Sequence, residues 1–442
     1  MSSRKIRLGD FLIRSKIPVD IEDNKKYKRV TIRTKHQGVS VRDFEIGSKI
    51  GTKKQFILKA GQFVLSKIDA MYGAFGIAPD EVDGAIITGN FWAYDYDKNI
   101  VSIEWFNHFT NSPDFYDLCR RASTGITHRK YLDEDVFLNY EVNLPDLNEQ
   151  ENLVVSIDSI REKISSLENE LTHQLTLLEN LNQAILQEAV QGKLVPQDPK
   201  DEPASELLKR IKAEKATLRQ AQGKGKKEKP LPPIKPEEIP FEIPENWVWC
   251  RLIDVGTTQT GTTPPTANKE FFGKDIPFIK PADISLSGIN YENEGLTLAG
   301  LEKGVLIKEN SLMMVCIGGS TGKSNYTNRD VSCNQQINAI KGLCGVSGQF
   351  LQYFLQSPYF QKAIWAKSSG GTTPIVNKSK WESIPIPLPP LSEQKRIVAE
   401  IEKQFAKTKQ LKEHIIANQQ ATEQLLKALL HQAFEVKEIE TV

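Results

Sequence analysis

Two stretches of the chain carry the same hydrophobic rhythm. After "LPDLNEQ", which begins at Leu144, apolar residues return every three or four positions, at Ile157, Ile160, Ile164, Leu167, Leu171, Leu178, Leu181 and Ile185. "LPPLSEQ", beginning at Leu388, opens a second stretch whose matching positions hold Ile401, Gln404, Thr408, Leu411, Ile415, Thr422, Leu425 and Leu429. The two align without a gap at an offset of 244, Leu144 against Leu388. Such spacing over about four heptads predicts a coiled coil rather than an ordinary amphipathic helix. One seam position is polar in both copies, Gln174 and Asn418, and a polar seam residue fixes register at some cost in stability. Asn148 or Ser392 is the expected N-cap, with Glu149 or Glu393 favoured in the first turn by the helix dipole. Two matched helices in one chain most economically pair with each other, the alternative being that each packs on its own domain.

The repeat extends into the segments before each helix. "GQFVLSKIDAMYGAFG" lies over "NSLMMVCIGGSTGKS", with Phe63, Val64 and Leu65 facing Leu312, Met313 and Met314, and Gly73 facing Gly322. "STGIT" at 123–127 resembles "SSGGTT" at 368–373, and Phe137 aligns with Trp381. The fold class that follows is α+β: two similar α/β domains in an internal repeat, joined by two long antiparallel coiled-coil helices. The expected boundaries are a first domain at 1–147, a central helix at 148–192, a linker at 193–243, a second domain at 244–390 and a C-terminal helix at 391–436. Within the linker, Pro203 and Ser205 open a short charged helix, and the stretch around 220–235 is expected to be mobile.

"CIGGSTGKS" at 316–324 invites a reading as a phosphate-binding loop, but its spacing fails. Such a loop needs a Gly five residues before the Gly of its Gly-Lys-Ser ending, and that place is Ile317. It should also open a helix, whereas "NYTNRDVSCNQQ" is turn-rich. The Gly is shared with a sister segment that has no Lys-Ser, so it is architectural, and Lys323 and Ser324 are local additions.

Composition changes the picture less than charge distribution does. A chain of 442 residues suggests two or more domains. No apolar run approaches the ~20 residues of a membrane span, and "MSSRKIRLGDFLIRSK" lacks the apolar core of a signal peptide. Five cysteines without Cys-x-x-Cys pairs argue against a disulfide framework or zinc knuckle, which suits a cytoplasmic protein. Six scattered histidines offer no pair at metal-ligand spacing. The net charge is +1, yet residues 1–67 carry 17 Lys/Arg against 6 Asp/Glu, and 209–229 form a second basic run. Clustered positive charge of this kind matters more for phosphate contact than the total.

Taken together, the paired junctions resemble those of the specificity subunits of type I restriction-modification systems. The resemblance also rests on "QGKLVPQDPKDEPASELLKRIKAEK", "ENWVWCRLIDV" and "IPFIKPADI", and it spans essentially the whole chain. One departure is that the first domain starts at "KIRLGDFL" without counterparts of Trp247 and Trp249, so its opening is expected to be either truncated or differently packed. The resemblance implies a non-enzymatic reader of double-stranded DNA, with two target-recognition domains each binding half of a bipartite, asymmetric sequence. It implies two modification subunits carrying S-adenosylmethionine-dependent adenine methylation, and restriction subunits using ATP and Mg. The chain itself is expected to hold no cofactor or metal and to meet no membrane. It shows no Asn/Asp-Pro-Pro-aromatic motif and no Gly-rich cofactor fingerprint. Two other readings stay open: the recognition subunit of a combined restriction-methylation enzyme with a bipartite site, and a coiled-coil protein-interaction scaffold.

Candidate DNA contacts follow from side-chain chemistry at turn-rich positions, since forked or multiple donors suit base edges and phosphates. In the first domain they are Arg29, Arg33, Lys35, His36, Gln37, Lys53, Lys54, Tyr72, Thr124, His128, Arg129 and Lys130. The second domain offers Thr260, Thr262, Thr263, Lys280, Lys323, Asn325, Tyr326, Arg329, Lys367, Thr372, Thr373 and Lys378.

The matched helices also predict a ruler. About 40 helical residues at ~1.5 Å each make a rod of roughly 60 Å. Inserting four residues between Leu181 and Ile185 adds about 6 Å, close to two base pairs at ~3.4 Å each. The expected outcome is a nonspecific gap longer by one or two base pairs with both half-sites kept, read by sequencing methylated adenines. An unchanged gap at full activity would mean the spacing is set elsewhere.

Overall fold

The computed structural model describes residues 4–124, 130–221, 231–370 and 373–434, with side chains up to Leu429. In the first domain the opening strand Arg4–Arg7 pairs antiparallel with Glu141–Leu144, the last strand before the long helix. Next comes a four-stranded antiparallel sheet in the order Leu12–Ser15, Phe91–Tyr96, Phe63–Ser66, Phe75–Ile77. Helices α1 (Ile103–Thr110) and α2 (Pro113–Arg121) cover it, and α3 (Glu134–Leu138) precedes the closing strand. Ser102 and Ser112 cap α1 and α2 by accepting from the N–H groups of Trp105 and Phe115. The core beneath is aromatic: the Phe63 ring meets Phe106 edge-on at 5.0 Å, and Phe75 meets Phe115 likewise at 5.0 Å.

Helix α4 (Leu147–Val190) follows, then α5 (Ala204–Ala221). The second domain holds α6 (Leu298–Lys303), α7 (Gly348–Gln356), α8 (Pro358–Ala366) and α9 (Lys378–Glu382), and α10 (Leu391–Phe434) ends the described chain. The scaffold of the first domain recurs here. Val248–Arg251 pairs with Pro385–Leu388, and a four-stranded sheet runs Gly256–Thr260, Ile337–Gly342, Ser311–Val315, Ser324–Tyr326. Arg7 and Arg251 make the same turn, each backbone N–H donating to a carboxylate three residues on, Asp10 at 3.0 Å and Asp254 at 2.8 Å. The linker helix is more integrated than its charge suggested. Leu207 and Ile211 of α5 are buried with Leu252, Leu312, Phe350 and Trp381 in the second core, and Arg251 grips Glu238 and the Pro232 carbonyl. Most of the stretch expected to be mobile, 222–230, lies outside the described residues.

The repeated junction works through its glutamine. Gln150 donates to the Pro145 carbonyl at 2.9 Å, and Gln394 to the Pro389 carbonyl at 2.9 Å. Each side chain ties the first helical turn to the loop before it. The expected N-caps both shift: Asp146, not Asn148, accepts from the Glu149 N–H at 2.9 Å, and Ser392 lies inside its helix with its hydroxyl donating to Asp201. A carboxylate three residues before that N–H reaches it without distorting the turn. Glu393 is buried and accepts from Trp247 Nε1 at 2.9 Å, whereas Glu149 is half-buried. This is the structural content of the missing tryptophan at the start of the first domain.

The chain divides into two compact units, Met1–Thr172 with Ile416–Val442, and His173–Ile415, so the division falls within both long helices. In the second unit the helices run antiparallel. Ile185 and Ala189 share a cluster with Ile397 and Ile401, and two turns before Ala189 and two turns after Ile401, Thr408 Oγ1 donates to Asn182 Oδ1 at 2.8 Å. In the first unit Ile157, Ile164, Leu171 and Thr422 are buried. Half of the expected seam is thus in place, with Ile415 also buried and Leu178 and Leu429 half-buried. The other half is corrected. Leu167, Leu181, Leu411 and Leu425 are 45, 46, 51 and 53 % exposed. In the second unit the companions of Leu178, Ile185 and Ile401 lie four positions on, not three, at Asn182, Ala189 and Phe405. Both neighbours flank the same helix face, so the packing partner chooses between them. The polar layer is accordingly Asn182–Thr408, while Asn418 is exposed and Gln174 half-buried. Among the described residues no helix is long and apolar enough to cross a membrane.

This register makes a stability prediction. Ile401→Ala empties a fully buried site and should cost about 2–5 kcal/mol, whereas Leu411→Ala should stay within about 0.5 kcal/mol. Urea unfolding followed by circular dichroism checks both, and equal losses would restore the three-residue register.

Candidate nucleic-acid interface

Each four-stranded sheet contains a sharp corner between its third and fourth strands. Gly73 and Gly322 sit there with φ of 81° and 93°, a region that disfavours residues with a Cβ. A side chain there would also have to displace a neighbour. A Cβ at Gly73 would lie 2.4 Å from Tyr116 Oη of α2, and one at Gly322 would lie 2.6 Å from Gln361 Oε1 of α8. These two contact residues hold matching places on matching helices. The chain then returns as a strand, Leu65 opposite Phe75 and Met314 opposite Ser324. Lys323 therefore precedes a strand paired back on its predecessor, with no helix N-terminus to hold phosphate. A later segment docks on each corner by one shared hydrogen bond, from Leu132 N–H to the Lys67 carbonyl at 2.7 Å and from Val376 N–H to the Cys316 carbonyl at 2.8 Å.

In the first domain the corner also carries a hairpin loop, residues 33–38, between strands Lys26–Ile32 and Val39–Ile46. Lys35 and His36 are both left-handed, at φ 59° and 53°. Their amides donate to the Tyr72 and Gly73 carbonyls at 2.7 and 2.9 Å. His36 Nε2 lies 2.8 Å from Thr110 Oγ1, and that hydroxyl donates to the Asn107 carbonyl at 2.8 Å. One hydroxyl proton cannot serve both, so Nε2 carries the hydrogen toward Thr110. Burial, reinforced by Arg161, pulls the imidazole down to about 4, leaving it neutral near pH 7. Held this way, Arg33, Lys35 and Gln37 are exposed beside Tyr72, itself 58 % exposed.

The remaining candidates of this domain separate by partner. Arg29 is bound to Asp43 at 2.6 Å and Glu45 at 3.4 Å, and Lys53 to Asp23 and the Gly47 carbonyl. Lys54, Thr124 and Lys130 are exposed. His128 and Arg129 lie outside the described residues. Sequence reasoning missed Lys67, whose Nζ stands 5.6 Å from the centre of the exposed Tyr131 ring. The docking of Leu132 on the Lys67 carbonyl brings that pair together, and no sequence spacing signals it.

In the second domain Lys323, Thr262 and Thr373 are exposed, and Lys367 and Tyr326 half-buried. Arg329 lies over the Tyr291 ring at 4.4 Å. Thr260 and Thr263 donate to Asn338 and Gln335, Lys280 pairs with Glu294, and Lys378 with Glu382 at 3.5 Å. Asn325 is buried, and its amide donates to the Ser285 carbonyl at 3.0 Å. Thr372 lies outside the described residues. What was missed here is the short hairpin that Asn325 holds, Ile284–Ser285 paired with Gly288–Ile289.

Comparison with known proteins matches this doubled geometry. Residues 3–177 and 244–419 each match the type I restriction modification DNA specificity domain. The chain is 31% identical over 352 residues to the EcoAI specificity subunit of Escherichia coli, covering 68% of this chain and 59% of that one. It is 32% identical over 267 residues to the E. coli EcoEI specificity subunit, covering 57% and 43%. The matched parts thus span about half the length of these two relatives. The HindI specificity subunit of Haemophilus influenzae is 25% identical over 386 residues, covering 78% and 81%. Among solved structures, a chain described with the assembly and conformational transition of the type I R-M system aligns with a TM-score of 0.66, covering 98% of this chain and 97% of that one. The HsdS subunit of Thermoanaerobacter tengcongensis aligns at 0.57, covering 98% and 96%. Both are 18% identical and speak for the fold. With a match on each half of the repeat, the chain belongs to the type I restriction-modification DNA specificity family.

Proposed function

We propose that this chain is the DNA-recognition subunit of a type I restriction-modification complex, each domain reading one half of a bipartite, asymmetric target. One observation carries the reading: the two corners agree in backbone, glycine and helix contact, yet display different side chains. The first offers Arg33, Lys35, Gln37 and Tyr72, and the second offers Lys323 and a short hairpin held by Asn325. A shared scaffold with different exposed donors suits two sequences read by one docking geometry.

In this reading the chain itself does no chemistry. Adenine methylation with S-adenosylmethionine falls to two modification subunits, and ATP- and Mg-dependent restriction to further partners. Leu167 and Leu411, like Leu181 and Leu425, are exposed at matched positions. Each long helix therefore presents the same apolar residues, which suits two copies of one partner.

Replacing residues 1–143 with the corresponding segment of a relative tests the division of labour. Methylated adenines, mapped in cells that also express the methyltransferase partner, should show one half of the target changed and the other kept. Both halves changing together would show that the domains do not read separately.

A further inference from the structure

The strand after each corner seats a hairpin at the same residue. Val64 stands opposite Gly76 in the first domain, and Met313 opposite Asn325 in the second. At Gly76 the backbone of the 33–38 loop comes so close that a Cβ would lie 3.3 Å from Gly38 Cα. At Asn325 the buried amide takes the Ser285 and Leu286 carbonyls at 3.0 and 3.4 Å. Ile284, 2 % exposed, roots this second hairpin in the core. Two unlike hairpins thus occupy one place on a repeated scaffold, and both are held more firmly than surface loops need to be. The first keeps two consecutive left-handed non-glycine residues, a strain that persists only where the surroundings impose it. The second has a two-residue tip, Leu286–Ser287, with Leu286 68 % exposed.

A single exposed leucine is ordinary on a protein surface. Leu286 differs because a buried amide fixes its own carbonyl, so the side chain is presented and not merely tolerated. Lys323 is exposed two residues before Asn325 in the chain.

We propose that these hairpin tips are the base-reading elements of the two domains, polar in the first through Lys35 and Gln37, apolar in the second through Leu286 against a thymine methyl group. The assignment rests on the DNA-recognition reading above and specifies its chemistry. A glutamine amide matches adenine N6 and N7, a lysine matches guanine O6 and N7, and an apolar side chain matches the thymine methyl. Lys323 then contacts phosphate and positions the tip without adding sequence information. Asn325, expected from sequence as a contact itself, acts as the positioning residue for Leu286.

The test uses the full chain assembled with its methyltransferase partner, on a duplex carrying the mapped target. Each thymine of the second half-site is replaced in turn by uracil, which removes the methyl group alone. The wild-type complex should lose affinity about four-fold at one such position, the effect of leaving one methyl group unburied. The Leu286→Ala complex should bind thymine and uracil duplexes equally there, with unchanged thermal unfolding. In parallel, Gln37→Ala should relax one adenine preference in the first half-site and leave the second intact. Equal responses of wild type and Leu286→Ala at every position, with the bipartite map intact, would overturn the hairpin assignment alone. A map with no bipartite target would overturn both the assignment and the functional reading.

Discussion

The left-handed glycine corner organises everything that faces outward from each domain. Gly73 and Gly322 turn the chain where a Cβ would meet Tyr116 or Gln361, so the helix beneath packs close against the turn. The carbonyls that the corner leaves free then become docking points: Tyr72 and Gly73 for one hairpin loop, Lys67 and Cys316 for the segments that follow the second helix. Backbone groups make these contacts, so they survive changes of side chain. A scaffold whose docking is written in the backbone can vary its exposed residues at little cost to its fold.

Much of this was legible in the sequence for reasons of periodicity. The 244-residue offset places Arg4–Arg7 against Val248–Arg251, and Glu141–Leu144 against Pro385–Leu388. The long helices were legible as well, because an apolar residue every seventh position needs no tertiary information. The companion column was not. Leu167 and Leu181 are more apolar than Asn182 or Ala189, and sequence favours the leucines. The antiparallel partner instead rewards small and hydrogen-bonding residues, joining Asn182 to Thr408. The cap at Asp146 was hidden by a similar competition between neighbouring acceptors.

The exposed donors were only half legible. Residue type pointed to Lys35 and Gln37 but gave the same weight to Arg29, which Asp43 and Glu45 largely neutralise, and to the buried Asn325. Ion pairing and burial sort such candidates, and both are set by strand register: Arg29 faces Asp43 across an antiparallel pair. Leu286 could not be found from sequence because its chemistry resembles a core residue. Its significance comes from where Asn325 holds it.

A repeated scaffold carrying two distinct tips underlies the central proposal, that this chain chooses where adenine is methylated. The most direct measurement maps N6-methyladenine by single-molecule sequencing in a host lacking such methylation, expressing the methyltransferase partner with and without this chain. The account predicts methylation only when the chain is present, at a single motif of two specified halves around a nonspecific gap. Methylation at the same sites without the chain, or at a continuous motif with it, would contradict it.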